Sequence, residues 1–465
     1  MTLSRALTLT LILAATAPAV AHAQPRLASS RAAVAAMSAP PNAPAARVAD
    51  VSPTVLHAGV APKVRGMALD ENRLRAHVIR PPNIINATSD LGRDQGRISF
   101  VRKPLVLTPQ GPHLDVVAFS NAVDGALAGH TNGYVMELRK YGQTIATRQS
   151  NWSKTPQDGG TKWDADQWMH VASVSKLITA MAMTKLLDAN NISYDAKIID
   201  YLPTYWAKGP NIGLVTFREL MTHTSGFAEG QTDYASMKNA VSAGVSTNSG
   251  MADYVGHYHY RNMNFGLCRI LIAIINGNVD KASDFSLGLP NGQAVNDTIW
   301  DSVTVQAYDQ YVKTTVFAPA GVSGATLDHP GPAALAYRFP VTDAGWNSGN
   351  LESVAGGAGW HMSANQLLDV MGTFRRKGTI MTSAKALAML DNGFGIDMIA
   401  DTPAGKLYNK NGLWHDADVN GRTEQSLAYF LPEGMELVVL TNSPIDNPEK
   451  FFRTVITQIY VDNVK

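Results

Sequence analysis

Two stretches of strong β-formers, near opposite ends of the chain and each bent about a tight turn, constrain the fold more than any other feature. Tyr134 to Leu138 and Gln143 to Thr147 flank a turn at Tyr141-Gly142; Ser426 to Leu431 and Leu437 to Leu440 flank another at Pro432-Glu433-Gly434. Both read as β-hairpins. Helical stretches border them, Val116 to Leu127 before the first and Phe451 to Ile459 after the second. Between the hairpins, Leu177, Ile178, Met181, Met183, Leu186 and Leu187 recur at a spacing that gives one apolar helical face, so Ser173 opens a buried helix. The remainder of the middle is mostly helical and loop-rich, with many Gly, Asn and Pro residues and no internal repeat. The expected fold is α/β of the α+β kind: an antiparallel sheet from both chain ends, flanked by helices, with a mostly helical insertion. The α/β part is expected over about 113–187 and 355–465, and the insertion over about 188–354.

The N-terminus reads as an export signal. Arg5 precedes an apolar run from Ala6 to Leu13, and small residues end in Ala21-His22-Ala23, which predicts cleavage before Gln24. The run is shorter than the roughly 20 residues a bilayer span needs, so a periplasmic or secreted protein without a transmembrane anchor is expected. The only cysteine, Cys268, excludes an internal disulfide, and stability must come from a packed core. Residues 24–112 read as a linker and extension. Arg31 to Asp50 holds nine alanines and three prolines with no period that burial could use. Lys63 to Lys103 carries nine Lys or Arg against four Asp or Glu, enough for weak contact with an anionic envelope, although a solvated extension accounts for it more simply. A net charge of +1 implies no nucleic-acid partner. The sequons at Asn86, Asn151, Asn191 and Asn296 receive no role.

Three short patterns carry chemistry. Ser173-Val174-Ser175-Lys176 is the only S-x-x-K in the chain. Residues three apart share a helix face, and a serine hydroxyl becomes a useful nucleophile once a neighbouring base takes its proton. A helix N-terminus also offers a free backbone N–H to an oxyanion. Tyr260-Arg261-Asn262 is the only Y-x-N; its phenol, set between cations, can act as a base, while the Asn262 amide orients substrate or Lys176. Lys410-Asn411-Gly412 precedes the C-terminal hairpin and brings a cation, a polar contact and a glycine to a strand edge. Lys140-Tyr141-Gly142 has the same form but precedes Ser173 and sits in a predicted turn.

In this order the three patterns resemble the signature of serine β-lactamases and penicillin-binding proteins. The match runs nearest to class C β-lactamases and their esterase and D-amino peptidase relatives. Further similar stretches are Leu220 to Gly226, Ala355 to Trp360 and Pro319 to Val322, so the resemblance covers roughly Val116 to the C-terminus. It implies a β-lactamase/transpeptidase-like fold, no cofactor, and a small-molecule or peptidoglycan-like substrate. Ser173 would be the nucleophile, Lys176 and Tyr260 the proton-transfer pair, Asn262 a substrate contact and Lys410 a substrate anchor. Asn411 and Gly412 would line the same edge, with the backbone N–H groups of Ser173 and Leu413 as oxyanion hole. Relatives usually carry a small residue where this chain has Leu413. Leu413 and Trp414 are therefore expected to crowd the cleft and to favour short esters over fused β-lactams.

The histidines point elsewhere. His223 in Thr222-His223-Thr224-Ser225-Gly226 reads as a packing residue, and His257-Tyr258-His259 lacks a third nearby metal ligand. The leading function is acyl hydrolysis of esters, β-lactams or D-amino peptides. The alternatives are a non-catalytic penicillin-binding-like scaffold and, third, a metallohydrolase.

Overall fold

The computed structural model describes Arg47–Val48 and residues 111–465, apart from 229, 231, 287–290, 417–420 and 447–451. The expected leader and nearly all of the 24–112 extension lie outside the described residues. The main sheet contains β1 (Arg47–Val48), β2 (Gly133–Lys140), β3 (Gln143–Lys154), β4 (Thr161–Lys162), β7 (Met398–Thr402), β8 (Gly405–His415), β9 (Thr423–Leu431) and β10 (Met435–Thr441). Its order is β1-β8-β9-β10-β2-β3-β4, with β7 also on β8, and every pairing is antiparallel. The two sequence hairpins meet at its centre, where β10 lies against β2 with Val439 opposite Met136. Both turns use left-handed residues: Tyr141 and Gly142 have φ of 51° and 82°, and Glu433 and Gly434 have 59° and 71°. That backbone twist suits tight antiparallel hairpins.

All of β9 and β10 is buried, so the sheet is covered on both faces. Strand alternation sends Leu437 and Val439 to one side and Val438 and Leu440 to the other. On the first side they meet Phe119, Val123 and Leu127 of α1 (Val116–Leu127) and Phe452, Ile456 and Tyr460 of a C-terminal helix, Phe452–Asp462. On the second they meet α2 (Ser175–Ala189) and the rest of the large core. Each fully buried apolar side chain there contributes about 1.5–3 kcal/mol.

One expectation changes here. The spacing in α2 predicts a single apolar face, yet twelve of its fifteen residues are buried. Ala180, Ala182, Thr179 and Thr184 fill the turns between the large side chains, and these small residues let neighbours approach from the remaining sides. A helix covered all round is a core helix. α3 (Met263–Ile275), equally buried, crosses it from the helical region. A two-stranded pair, β5 (Met169–His170) with β6 (His361–Met362), sits just ahead of α2. No helix among the described residues is long and apolar enough to cross a membrane.

Candidate active site

Ser173 lies in a tight turn, Ala172–Val174, that leads into α2. Ala172 is buried with φ of 46°, a left-handed value that a residue bearing a Cβ adopts only when its surroundings force it. Behind the turn Ser426 Oγ donates to the Val171 carbonyl at 2.6 Å, fixing the turn to β9. The position of Ser173 is thus set by the sheet as much as by its helix.

Lys176, one turn on and fully buried, aims its Nζ at three oxygens. Ser173 Oγ is 2.9 Å away, Asn262 Oδ1 2.8 Å and the Gly357 carbonyl 2.7 Å. The Tyr260 hydroxyl donates to Ser173 Oγ from another direction, at 2.8 Å. The S-x-x-K and Y-x-N patterns, 87 residues apart, therefore converge on one oxygen. Asn262, at the entry to α3, gives its oxygen to Lys176; its Nδ2 is buried and finds no partner among the described residues. The Tyr260 ring lies between two ammonium groups, with Lys176 Nζ 5.0 Å and Lys410 Nζ 5.3 Å from its centroid.

His223 backs this arrangement as a packing residue. Its ring lies 4.3 Å from that of Tyr260, and Nδ1 accepts from the Arg261 backbone N–H at 3.2 Å. Burial, with Lys176 and Lys410 nearby, holds the imidazole well below its ordinary range and hence neutral. His257 stacks on Tyr254, while the His259 backbone donates to the His223 carbonyl. Among the described residues they gather no third ligand.

The third pattern lies on β8. Lys410, Gly412 and Trp414 alternate onto the face that meets the Ser173 turn, where a Cβ on Gly412 would stand 2.5 Å from the Val171 carbonyl and 2.9 Å from Ser173 N. Only glycine permits this approach. The backbone can be traced along the same strand. The Asn409 carbonyl accepts from Asp397 N, and Asn411 N donates to Asp397 Oδ2, so odd-numbered residues turn their backbone groups toward the β7 edge. Leu413 N–H shares that direction, at the edge beyond β7 and beside Ser173. Lys140, in the look-alike motif, is paired with Glu433 at the far hairpin instead.

Three expectations for β8 need correction. The Asn411 side chain faces away from Ser173 and accepts from Arg453 Nη1 at 3.0 Å. Leu413 follows the same alternation and is half-buried on that opposite face. Trp414 does share the face of Gly412, but it is a floor, not an obstruction. Only 1% exposed, it stands edge-on to His170 at 4.9 Å among Ala172, Leu351, Val354 and Ala358.

Asp397 is a site residue the sequence reading missed. Both its oxygens lie 2.7 Å from Lys410 Nζ, and neither side chain is more than 6% exposed. Burial pulls the Lys410 ammonium below its ordinary range, with Asp397 acting against that. An isolated acidic residue in Gly395-Ile396-Asp397-Met398 carries no motif that would have marked it. Glu424 and His170 were missed as well. His170 Nε2 accepts from Gly359 N–H at 3.1 Å, so Nδ1 must carry the proton that reaches Glu424 Oε2 at 3.2 Å. Burial drives His170 down to about 3 and Glu424 up to about 8, so this is a neutral pair beneath the Ser173 turn.

Comparison with known proteins adds a family-model match over part of the chain and a likeness of fold. The family model described as Beta-lactamase matches residues 119–280. No curated protein sequence matches. Among solved structures, D-amino acid amidase from Ochrobactrum anthropi SV3, complexed with L-phenylalanine, is similar over 74% of this chain and 98% of its own. It has 16% identity and a TM-score of 0.54. A D-stereospecific amidohydrolase from Streptomyces sp. gives 18% identity, 75% and 99% coverage, and 0.52. A class C β-lactamase from Rhodobacter sphaeroides gives 18%, 74% and 98%, and 0.51. At these identities the likeness is one of fold.

Proposed function

We propose that this chain, which a Beta-lactamase family model matches over residues 119–280, is an exported acyl hydrolase that forms an acyl-enzyme on Ser173. Its substrates are esters, D-amino peptides or amides, or β-lactams. The observation that carries this reading is the pair of contacts on one oxygen: Lys176 Nζ at 2.9 Å and the Tyr260 hydroxyl at 2.8 Å from Ser173 Oγ. A serine with two proton-transfer groups in hydrogen-bond reach meets the geometric requirement for general-base activation.

Two protonation patterns satisfy the site. With Lys176 a neutral amine, its two N–H groups go to Asn262 Oδ1 and the Gly357 carbonyl, and its lone pair faces Ser173. With Lys176 an ammonium, all three N–H groups are used and the serine proton goes to a Tyr260 phenolate, which the Lys176 ammonium favours. In either pattern the Ser173 proton moves to this pair as Oγ attacks the acyl carbon. The carbonyl electron pair shifts onto oxygen, held by the N–H groups of Ser173 and Leu413. Collapse returns the proton to the departing alcohol, amine or lactam nitrogen. Water then repeats the sequence on the acyl-enzyme, losing its proton to the same pair and freeing Ser173. Asn262 Nδ2, buried and without an acceptor among the described residues, is suited to a carbonyl of the acyl group.

The test is mass spectrometry after exposure to a fluorescent penicillin and to p-nitrophenyl esters. One acyl group is expected on Ser173 and none on Ser173→Ala. Labelling on another residue, or on the alanine variant, would sink the assignment.

A further inference from the structure

Lys410 stands where an anchor for an anionic substrate group is expected, yet its charge is already matched. Asp397 approaches with both oxygens at 2.7 Å, and Oδ2 also accepts the Asn411 N–H at 3.1 Å. The pair is buried at 1% and 6% side-chain exposure, where charge interactions are screened least. A substrate carboxylate brought to this ammonium meets a second carboxylate on the same nitrogen, and two like charges sharing one small site oppose each other.

The nearby basic groups make hydrogen bonds elsewhere, and Arg453 reaches Asp397 only through a longer-range attraction. Arg453 lies across β8 on the opposite face, with its guanidinium on Asn411 Oδ1. Lys176 is directed at Ser173, Asn262 and Gly357. His223, behind Tyr260, is neutral, and Arg261 Nε donates to the Phe227 carbonyl.

On the acyl-hydrolase reading above, we propose that Asp397 determines specificity: it occupies the Lys410 ammonium and selects acyl donors that are uncharged where they face β8, against those bearing a carboxylate there. Neutral esters and amides are the favoured class. β-Lactams and peptides with a free C-terminal carboxylate are the disfavoured one. The preference for simple esters expected from a crowding Trp414 thus acquires an electrostatic cause, since Trp414 does not enter the cleft.

The experiment uses a matched pair of phenylacetyl-glycyl depsipeptides whose leaving hydroxy acid ends either in a free carboxylate or in a primary carboxamide. kcat/KM is measured for both on the wild type, Asp397→Asn and Asp397→Glu. The wild type is expected to favour the carboxamide about ten- to a hundredfold, the value of one hydrogen bond to a charged group. Asp397→Asn should reduce or invert that ratio at least tenfold, through faster turnover of the carboxylate compound, while Asp397→Glu keeps it. Cooperative denaturant unfolding reports whether each variant is folded; should Asp397→Asn not fold, the wild-type ratio decides alone. A wild type that prefers the carboxylate, or a folded Asp397→Asn with the wild-type ratio, overturns the role of Asp397 and leaves the hydrolase reading intact. A wild type that is acylated by neither depsipeptide nor p-nitrophenyl ester overturns the hydrolase reading, and this inference with it.

Discussion

Replacing Gly412 by alanine tests whether the strand edge and the nucleophile turn act as one unit. The added Cβ would sit 2.5 Å from the Val171 carbonyl and 2.9 Å from Ser173 N, besides meeting Ser426 Oγ, whereas ordinary contact begins at 3.4 Å. Relief therefore requires 3.4 − 2.5 = 0.9 Å of separation at Val171 and 3.4 − 2.9 = 0.5 Å at Ser173. Two of the three obstructing atoms are backbone, and the third donates a hydrogen bond that holds Val171, so no side-chain rotation clears the space. The strand and the turn must part. Overpacking of this kind costs about 1–3 kcal/mol of stability. A shift near 1 Å at the reacting centre costs about a hundredfold in rate, in line with the loss of an oxyanion donor at about 10²–10³. The assay is the single-turnover acylation rate with a p-nitrophenyl ester, alongside denaturant unfolding. Gly412→Ala with acylation within about threefold of wild type would show that β8 does not contribute to the oxyanion site.

Tyr260→Phe removes only the phenol oxygen at Ser173 and should slow both acylation and deacylation by about 10²–10⁴, with Lys176→Ala at least as damaging; stopped-flow rates for the two steps check this, and wild-type rates in Tyr260→Phe would make the tyrosine a packing residue. Trp414→Ala should cost about 3–5 kcal/mol in chemical denaturation, as loss of a fully buried indole does; a near-neutral stability change with faster turnover of bulky substrates would return Trp414 to the cleft wall. Glu424, raised to about 8 by burial, contributes stability that is fully present below its unfolded value near 4.5 and is lost as pH rises toward 8. The wild type should therefore lose stability across that window relative to Glu424→Gln, by at most about 1.4 kcal/mol per pH unit. His170, depressed to about 3, acts in the opposite sense, its contribution being present above 6.5 and lost only as pH falls toward 3. Identical pH profiles for wild type and Glu424→Gln would show Glu424 ionised in the folded protein.

Local pattern alone was enough for the two hairpins, the flanking helices and the three motifs. Side-chain period and turn chemistry are properties of a few adjacent residues, so Val116–Leu127 and the turn at Glu433-Gly434 are legible without their neighbours. The three-residue spacing marked Ser173 and Lys176 as a pair, and the order of the three motifs singled them out together with Tyr260. What could not be read was the direction in which each side chain points once a strand is placed. Alternation along β8, fixed by its pairing with β9, turns Lys410 and Gly412 to the nucleophile, Asn411 to Arg453, and Trp414 under the turn onto His170. The same holds for contacts made across long chain separations. Gly357 meets Lys176 from 181 residues away and Glu424 meets His170 from 254, because the folded core, not the sequence spacing, brings them together. Asp397 is nearer, 13 residues before Lys410, yet its pairing depends on how β7 lies against β8. An isolated carboxylate has no period and no motif, so its partner, and with it the charge the cleft offers a substrate, was decided only by the tertiary structure.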